Sequence, residues 1–337
     1  MVGWKSAKGC VIGLALIAMV LLLAACGGIQ GGAKEGSGGT EAQASQAGSG
    51  SPAEAAKTRV VKTAKGEIEI PANPQRIVAQ GYLATFLALG VKPVGAPSWD
   101  IESPHVRHLT SGIEDIGTID ASSVEKILSL APDLIVTLSD DPAIYEQLSK
   151  IAPTVAVHYN TFDDTRDEIR TFGEMLGKEK EAEAWIADFN ATVQTAKNKI
   201  KGIVAEGETV SVMGGFNKEI FVYSFGIWRG VQAVYKHLEL TPPPAVQKLI
   251  DHREDIKSIS LEKVPEYAGD YIFLDSGHDG QFERNGAFWN SLDAVKNNRV
   301  FDLDGDYFWP YDPIAIKAQV EKVAEMLVER QQSLSGQ

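Results

Sequence analysis

The sequence predicts an α/β protein made of two lobes with mainly parallel sheets, joined by a single long backbone helix. Three observations carry this. First, Ala182, Trp185, Ile186, Phe189, Val193, Ala196, Ile200 and Ile203 hold one helical face from Glu179 to Ile203. At 1.5 Å per residue that stretch spans about 38 Å, wider than a small domain. Second, strands alternate with helices on both sides of it. Third, two segments echo each other at a fixed offset of 137 residues. Ser123-Val124-Glu125-Lys126-Ile127 precedes Asp133-Leu134-Ile135-Val136, and Ser260-Leu261-Glu262-Lys263-Val264 precedes Asp270-Tyr271-Ile272-Phe273. The helix alone would fit an ordinary surface helix of one sheet domain. The echo on its two sides makes it a bridge between related lobes.

The chain is 337 residues long, 44% hydrophobic and 23% charged, which suits one large or two medium globular domains. Its net charge of −13 argues against nucleic acid or an anionic membrane as the main partner. Both cysteines, Cys10 and Cys26, lie near the N-terminus. The rest therefore holds no disulfide, thiolate metal site or cysteine nucleophile.

Residues 1–25 read as a leader. Lys5 and Lys8 precede an apolar run from Cys10 to Leu23, short for a membrane span and suited to a signal peptide. Leu23-Ala24-Ala25-Cys26-Gly27 resembles the bacterial lipoprotein signal, in which the cysteine is acylated and becomes the new N-terminus. Residues 26–57 are rich in Gly, Ser, Ala, Gln and Glu without apolar periodicity and read as a flexible tether, reaching roughly 30 Å. A domain held this way sits at the extracytoplasmic face of a cell membrane, anchored through Cys26.

Residues 58–178 form the N-terminal lobe. Arg76–Ala79 is a strand, Leu83–Leu89 a helix closed by Gly90, and Val91–Ala96 a strand and turn. Ser123–Leu130 is a helix broken by Pro132, followed by the buried strand Asp133–Thr137. Pro142–Lys150 is a helix started by Asp140 or Asp141, Thr154–Val157 a strand, and Asp163–Leu176 a helix stopped by Gly177. Alternation of this kind implies parallel pairing, with ligands beyond the carboxyl ends of the strands. That rule places Gln80, Tyr82, Trp99 and the Ser139 turn on a binding rim, with Tyr82 exposed.

Residues 179–203 are the linking helix, and residues 204–337 form the C-terminal lobe. There Thr209–Met213, Glu219–Tyr223 and Asp270–Leu274 are strands, Gly230–Leu238 is a helix, and a closing helix runs from Pro313 to about Gln331. The echo serines can cap their helices, which puts Glu125 and Glu262 in the first turns, one acidic knob per lobe. Such a pair can simply stabilise its helices, or dock two basic pockets on a partner.

Two loops carry the candidate binding residues. Tyr223-Ser224-Phe225-Gly226-Ile227-Trp228-Arg229-Gly230 leads from a strand into a helix. Arg229 offers a rigid fork of donors and Trp228 a large apolar face. Tyr307-Phe308-Trp309-Pro310-Tyr311 has more aromatics than packing of one loop requires, so Trp309 or Tyr311 faces the cleft. Trp289 alternates with core positions and reads as structural. No G-x-S-x-G elbow, H-E-x-x-H or Walker loop is present, and His105 with His108 is too small a set for zinc. No catalytic residue and no metal ligand is therefore assigned.

Leu87 to Ala96, Gly112 to Gly117, Ser123 to Val136, Ile151 to Val155, Ser258 to Phe273 and Leu292 to Asn297 together carry a family resemblance. The chain resembles the lipid-anchored substrate-binding proteins of ABC importers for iron–siderophore complexes, within them the ferric-hydroxamate (ferrichrome-type) receptors of Gram-positive bacteria. The resemblance implies the class III periplasmic-binding-protein fold: two α/β lobes, one long helix, and a shallow cleft lined by aromatics and an arginine. The family's arginine lies in an aromatic–Gly–Arg–Gly stretch, so its role falls on Arg229. Here Ile227-Trp228 precedes it, which shifts the tryptophan by one. The late aromatic loop falls on Phe308 to Tyr311, and the two permease-contacting glutamates on Glu125 and Glu262.

The implied function is capture without catalysis. The ligand is a ferric siderophore, with no cofactor bound directly. Its iron is already saturated by six oxygens, so the protein supplies no metal ligand. Arg229 would donate to hydroxamate oxygens, while Trp228, Trp309, Tyr311 and Tyr82 would contact the carbon skeleton beside Trp99 on the rim. Catecholate complexes carry large negative charge and would call for several basic residues, where the cleft shows mainly Arg229. The implied partners are an ABC permease and the membrane through Cys26, with the receptor a monomer. Three rivals stay open: haem, cobalamin or ferric citrate in the same fold, a zinc or manganese receptor, and an anchored extracellular enzyme.

Overall fold

The computed structural model describes residues 58–63, 65–158, 161–216, 219–226, 229–275, 284 and 286–336. The leader, the tether and Cys26 lie outside the described residues. The described chain opens with an antiparallel hairpin, β1 (Thr58–Thr63) and β2 (Gly66–Pro71), which the sequence reading left unassigned. Val61 pairs with Ile68, and both pack on the first core. Arg59 staples the hairpin down by donating to the carbonyls of Glu174 at 2.6 Å and Ala72 at 3.0 Å.

The first sheet has the order β5-β4-β3-β6-β7 and is parallel throughout. Its strands are β3 (Ile77–Gln80), β4 (Gly95–Ala96), β5 (Glu114–Asp115), β6 (Leu134–Thr137) and β7 (Thr154–Ala156). All residues of β3, β6 and β7 are buried, which is why they read as unbroken apolar runs rather than alternating ones. The helices are α1 (Leu83–Ala88), α2 (Ser98–Glu102), α3 (Val124–Ser129), α4 (Pro142–Ser149) and α5 (Thr165–Leu176). Side chains set the starts of α3, α4 and α5. Ser123 accepts from the Lys126 amide, Asp141 from Ala143 and Asp164 from Arg166. Gly177 ends α5 at φ 68°, where a Cβ would also meet the Arg59 guanidinium at 2.6 Å.

Helix α6 runs from Glu179 to Ile200, three residues short of the predicted end. Lys201 leaves the helix at ψ 120° and Gly202 turns the chain at φ 81°. The buried face of α6 is divided. Ala182 and Ile186 belong to the core of the first lobe, whereas Ala196 and Ile200 belong to the core of the second. Phe189 sits between them, stacked on Trp185 at 5.2 Å and edge-on to His237 of the second lobe at 4.9 Å.

The second sheet has the order β10-β9-β8-β11-β12, from β8 (Val210–Phe216), β9 (Glu219–Tyr223), β10 (Ile256–Ile259), β11 (Tyr271–Asp275) and β12 (Val300–Leu303). β8, β11 and β12 are parallel, but β8–β9 and β9–β10 are antiparallel. β9 follows β8 after only Asn217 and Lys218, too few residues for a crossover, so the two strands pair antiparallel. The predicted helix Gly230–Leu238 is a π-helical turn, Gln232–His237. The remaining helices are α7 (Pro244–Asp251), α8 (Val264–Tyr267), α9 (Asp293–Lys296), α10 (Gly305–Phe308) and α11 (Pro313–Ser335). α11 packs along α6 and also reaches α1 and α5, so a second long helix spans both lobes although the chain crosses only once.

The sequence echo has a structural counterpart. Asp133, entering β6, accepts from the amides of Gln75 at 2.7 Å and Arg76 at 2.9 Å, just before the neighbouring β3. Asp270, entering β11, accepts from the Thr209 amide at 2.7 Å and its hydroxyl at 3.0 Å, just before the neighbouring β8. Each aspartate ties together the entrances of two parallel strands. The glutamate knobs match less closely. Ser123 caps α3, whereas Ser260 makes no cap bond and precedes a 3₁₀ turn, Leu261–Lys263. The expectation that both serines cap therefore holds only in the first lobe.

Asp133→Ala and Asp270→Ala should each destabilise the protein by about 1–3 kcal/mol, because each leaves two donors at a strand entrance without their carboxylate. The two losses should add, since the sites lie in separate sheets. Urea denaturation of both single variants and the double variant checks this.

Candidate functional site

The carboxyl ends of β8 and β11 meet the loop that follows β9. Asp275, the last residue of β11, pairs in register with Gly214 of β8 and Leu303 of β12 and is 3% exposed. The Nε–H of Arg229 donates to its Oδ2. Arg229 has φ 49° between Gly226 and Gly230, both also at positive φ, so a sharply turned loop aims its side chain inward. Its guanidinium lies 4.2 Å from the Trp309 ring centroid and 5.8 Å from that of Tyr223. Gly214 makes room for this: a Cβ there would sit 3.0 Å from the Tyr223 ring and 3.2 Å from the Asp275 Cβ. The Arg229 Nη1 is buried and, among the described residues, has no hydrogen-bond partner. A donor fork is thus held on one edge by a carboxylate and on its face by an indole, with a second edge left for an acceptor.

Trp309 links this arrangement to the first lobe. It meets Trp99 of α2 edge to face, with centroids 6.0 Å apart and planes at 79°. Trp99 is 56% and Trp309 38% exposed, so both indoles border solvent while touching across the lobes. Two residues earlier, the Tyr307 carbonyl accepts from His105 Nε2 at 2.8 Å, and the two rings lie 4.4 Å apart. Arg229, Trp309 and Trp99 are therefore brought together. Tyr311 follows in the same loop and lies near enough to Tyr82 for its charge to act on that phenol. Trp228 lies outside the described residues.

Two rim expectations need correction. Tyr82 is half-buried rather than exposed. Its ring rests on Phe172 at 5.0 Å and its hydroxyl donates to the His158 carbonyl at 3.1 Å. Burial first, and then the charge of Glu168, push its pKa up. Its φ of 61° turns the side chain back over α5 instead of out of the strand end. Gln80 is buried too. It donates to the Ile119 carbonyl at 3.0 Å and Ser122 at 2.8 Å and accepts from Thr137 at 2.6 Å, locking β3 to β6. Tyr223 and Asp275 escaped the sequence reading as site residues. The signal for Asp275 was its place: an acid directly after the predicted strand Asp270–Leu274, on the rim where ligands of such sheets sit.

Under the aromatic loop lies a group of buried acids where α11 meets the first lobe. Asp312 caps α11 by accepting from Ala315 at 2.8 Å, and burial raises its pKa against the pull of these amides and of His105. Asp100 is pushed up to about 7 by burial and by the charge of Asp312. Glu168 accepts from the Thr85 hydroxyl and is pushed up to about 8, chiefly by burial. Among the described residues no group of three or more His, Cys, Asp or Glu is placed to hold a metal ion. No helix among them is long and apolar enough to cross a membrane. Glu125 and Glu262 lie apart from the cleft and are exposed, each beside its echo serine.

Residues 77–307 match the family model described as periplasmic binding protein. The chain is 36% identical over 322 residues to the iron(3+)-hydroxamate-binding protein YxeB of Bacillus subtilis, covering 94% of this chain and 95% of that one. It is 38% identical over 328 residues to the iron(3+)-hydroxamate-binding protein FhuD of the same organism, covering 94% and 98%. Among solved structures it resembles a FhuD fold-family periplasmic binding protein component of a Fep/Fec-like ferrichrome ABC transporter from Bacillus subtilis. That likeness has a TM-score of 0.72 and 38% identity and covers 80% of this chain and 100% of that one.

The buried acids set a pH dependence. The pKa of Glu168 is higher in the folded chain than its unfolded value of 4.5, so the folded state holds the extra proton. Stability is then fully present below about 4.5 and falls as pH rises toward 8. Glu168→Gln keeps the acceptor for Thr85 and removes the titration. It should raise stability by roughly 1–3 kcal/mol at pH near 9 and change it little at pH near 5. Urea midpoints measured across that range check the slope.

Proposed function

The chain belongs to the periplasmic binding protein family, and we propose that it captures a ferric hydroxamate complex outside the cytoplasm and delivers it to an ABC permease for iron uptake. The observation that carries this reading is the buried, unpartnered Nη1 of Arg229, held between Asp275 and Trp309 at the mouth of the second sheet. A hydroxamate oxygen bound to iron keeps lone pairs and partial negative charge, the acceptor such a donor calls for. Trp99 and Trp309 give apolar surface for the ligand's carbon skeleton, and Tyr311 and Trp228 complete the proposed contacts. The iron arrives as cargo already surrounded by six oxygens, so binding asks nothing of the protein's own ligands. A free siderophore is floppy and costs entropy to order, which favours the iron-loaded form.

The remaining assignments support transport. We place a lipid on Cys26, a tether over residues 26–57, lobes over residues 58–178 and 204–337, and a monomeric receptor at the membrane surface. Glu125 and Glu262, exposed on opposite lobes, suit charge-assisted bonds to arginine pockets on the permease. Hydrogen bonding to Ser260 lowers the pKa of Glu262, which keeps it ionised.

Titration of tryptophan fluorescence tests the ligand. Ferrichrome and ferrioxamine B should quench it, with Kd values in the micromolar range or tighter, about −8 kcal/mol or better. Quenching by haem, cobalamin or ferric citrate instead would replace the hydroxamate reading. For docking, the Glu125→Ala/Glu262→Ala double variant should bind ferrichrome as the wild type does yet fail to support uptake in cells. Loss of binding in that variant would remove the docking assignment.

A further inference from the structure

The geometry points to Asp275 as the residue that sets the charge selectivity of the cleft, by pairing with Arg229 so that the site offers a hydrogen-bond donor without net positive charge. This rests on the receptor reading above and specifies which ferric complexes the site takes. Three observations support it. Asp275 is almost wholly buried, and a buried carboxylate paired with a partly buried guanidinium cancels most of the field an approaching ligand would feel. The pair is also built in: the loop glycines turn Arg229 inward, Gly214 clears space beside Asp275, and Trp309 covers the guanidinium face. Finally, the fold itself does not require an acid there. At the offset of 137, Asp275 corresponds to Leu138 in the first lobe, which continues from the same strand end with an apolar side chain.

The chemistry of the ligands gives this consequence. Three singly charged hydroxamates around Fe(III) form an electroneutral complex, and ferrioxamine B adds one ammonium. Ferric citrate and tris-catecholate complexes are anionic. An unpaired arginine in a half-dry cleft would favour the anions over the neutral complex. Paired with Asp275, Arg229 keeps its direction and its free Nη1 donor but loses that bias. Asp275 thus acts as a positioning and specificity residue without touching the ligand.

The test compares affinities of ferrichrome, ferrioxamine B and ferric citrate for the full chain and two variants, by tryptophan quenching. Asp275→Asn keeps the shape and removes the charge. Its preference should move from ferrichrome toward ferric citrate by at least about tenfold, as expected for a unit charge a few ångström away in an interior of intermediate dielectric. Should that variant not fold, Arg229→Gln supplies the reading from the other side. It leaves the carboxylate in excess, so preference should move from ferrichrome toward the cationic ferrioxamine B. A purely structural role would weaken all three complexes in proportion. Proportional loss, or an unchanged ratio in a folded variant, overturns the role of Asp275 while leaving the receptor reading intact. A wild type that binds neither hydroxamate complex overturns both.

Discussion

The structure depends on one helix face being shared by two cores. Ala182 and Ile186 are buried in one lobe, and Ala196 and Ile200 in the other. No segment of α6 can rotate without opening a core at one end. Close-packed interiors resist such deformation because each displaced side chain loses contacts that nothing replaces. α11 doubles the constraint by running along α6 and touching α1 and α5 as well. The lobes are therefore held at two levels, by a covalent bridge and by a packed helix. Phe189, between Trp185 and His237, fills the seam where the two cores meet. A cleft on such a frame is largely formed before the ligand arrives, and its discrimination rests with the loops.

Those loops are fixed by what they contact across the lobes. The chain from Tyr307 to Asp312 belongs to the second lobe, yet its carbonyl at Tyr307 is held by His105 and its Trp309 meets Trp99. Asp312 then starts α11 beside the acids of the first lobe. The aromatic loop is thus an interlobe contact as well as the cover of Arg229. That explains its density of aromatics: Phe308 is buried in the core, Tyr307 faces His105, and Trp309 covers Arg229. Each ring answers a different surface.

Periodicity and punctuation made much of the fold legible. Apolar runs gave β3, β6 and β7. Ser123, Asp141 and Gly177 marked helix ends with the chemistry the structure displays. The repeated aspartate before β6 and β11 proved more than a pattern, since both copies bridge strand entrances in the same way. Antiparallel pairing of β8 and β9 was less legible, because it turns on loop length rather than on strand composition. So was the π-helical turn, which local propensity does not distinguish from an α-helix. Arg229 and Trp309, singled out by residue type and loop context, lie against each other. Tyr82 was misplaced because a positive φ and a neighbouring Phe172 decide its direction. The Arg229–Asp275 pair was not legible because its members lie 46 residues apart in the chain.

Stability and function meet at the Arg229 Nη1. A buried donor without a partner costs roughly 1–3 kcal/mol relative to one that is bonded. Two packed cores and two long helices tolerate a cost of that size. A ligand acceptor placed there removes the cost on binding, so the same group that weakens the empty protein strengthens the complex. Asp275 makes this arrangement possible. Without it the guanidinium, still covered by Trp309, would face the cleft with its charge uncompensated and would favour anionic ligands. The carboxylate answers that charge and directs the arginine. On the proposed reading, selectivity then rests on a donor whose charge is already answered.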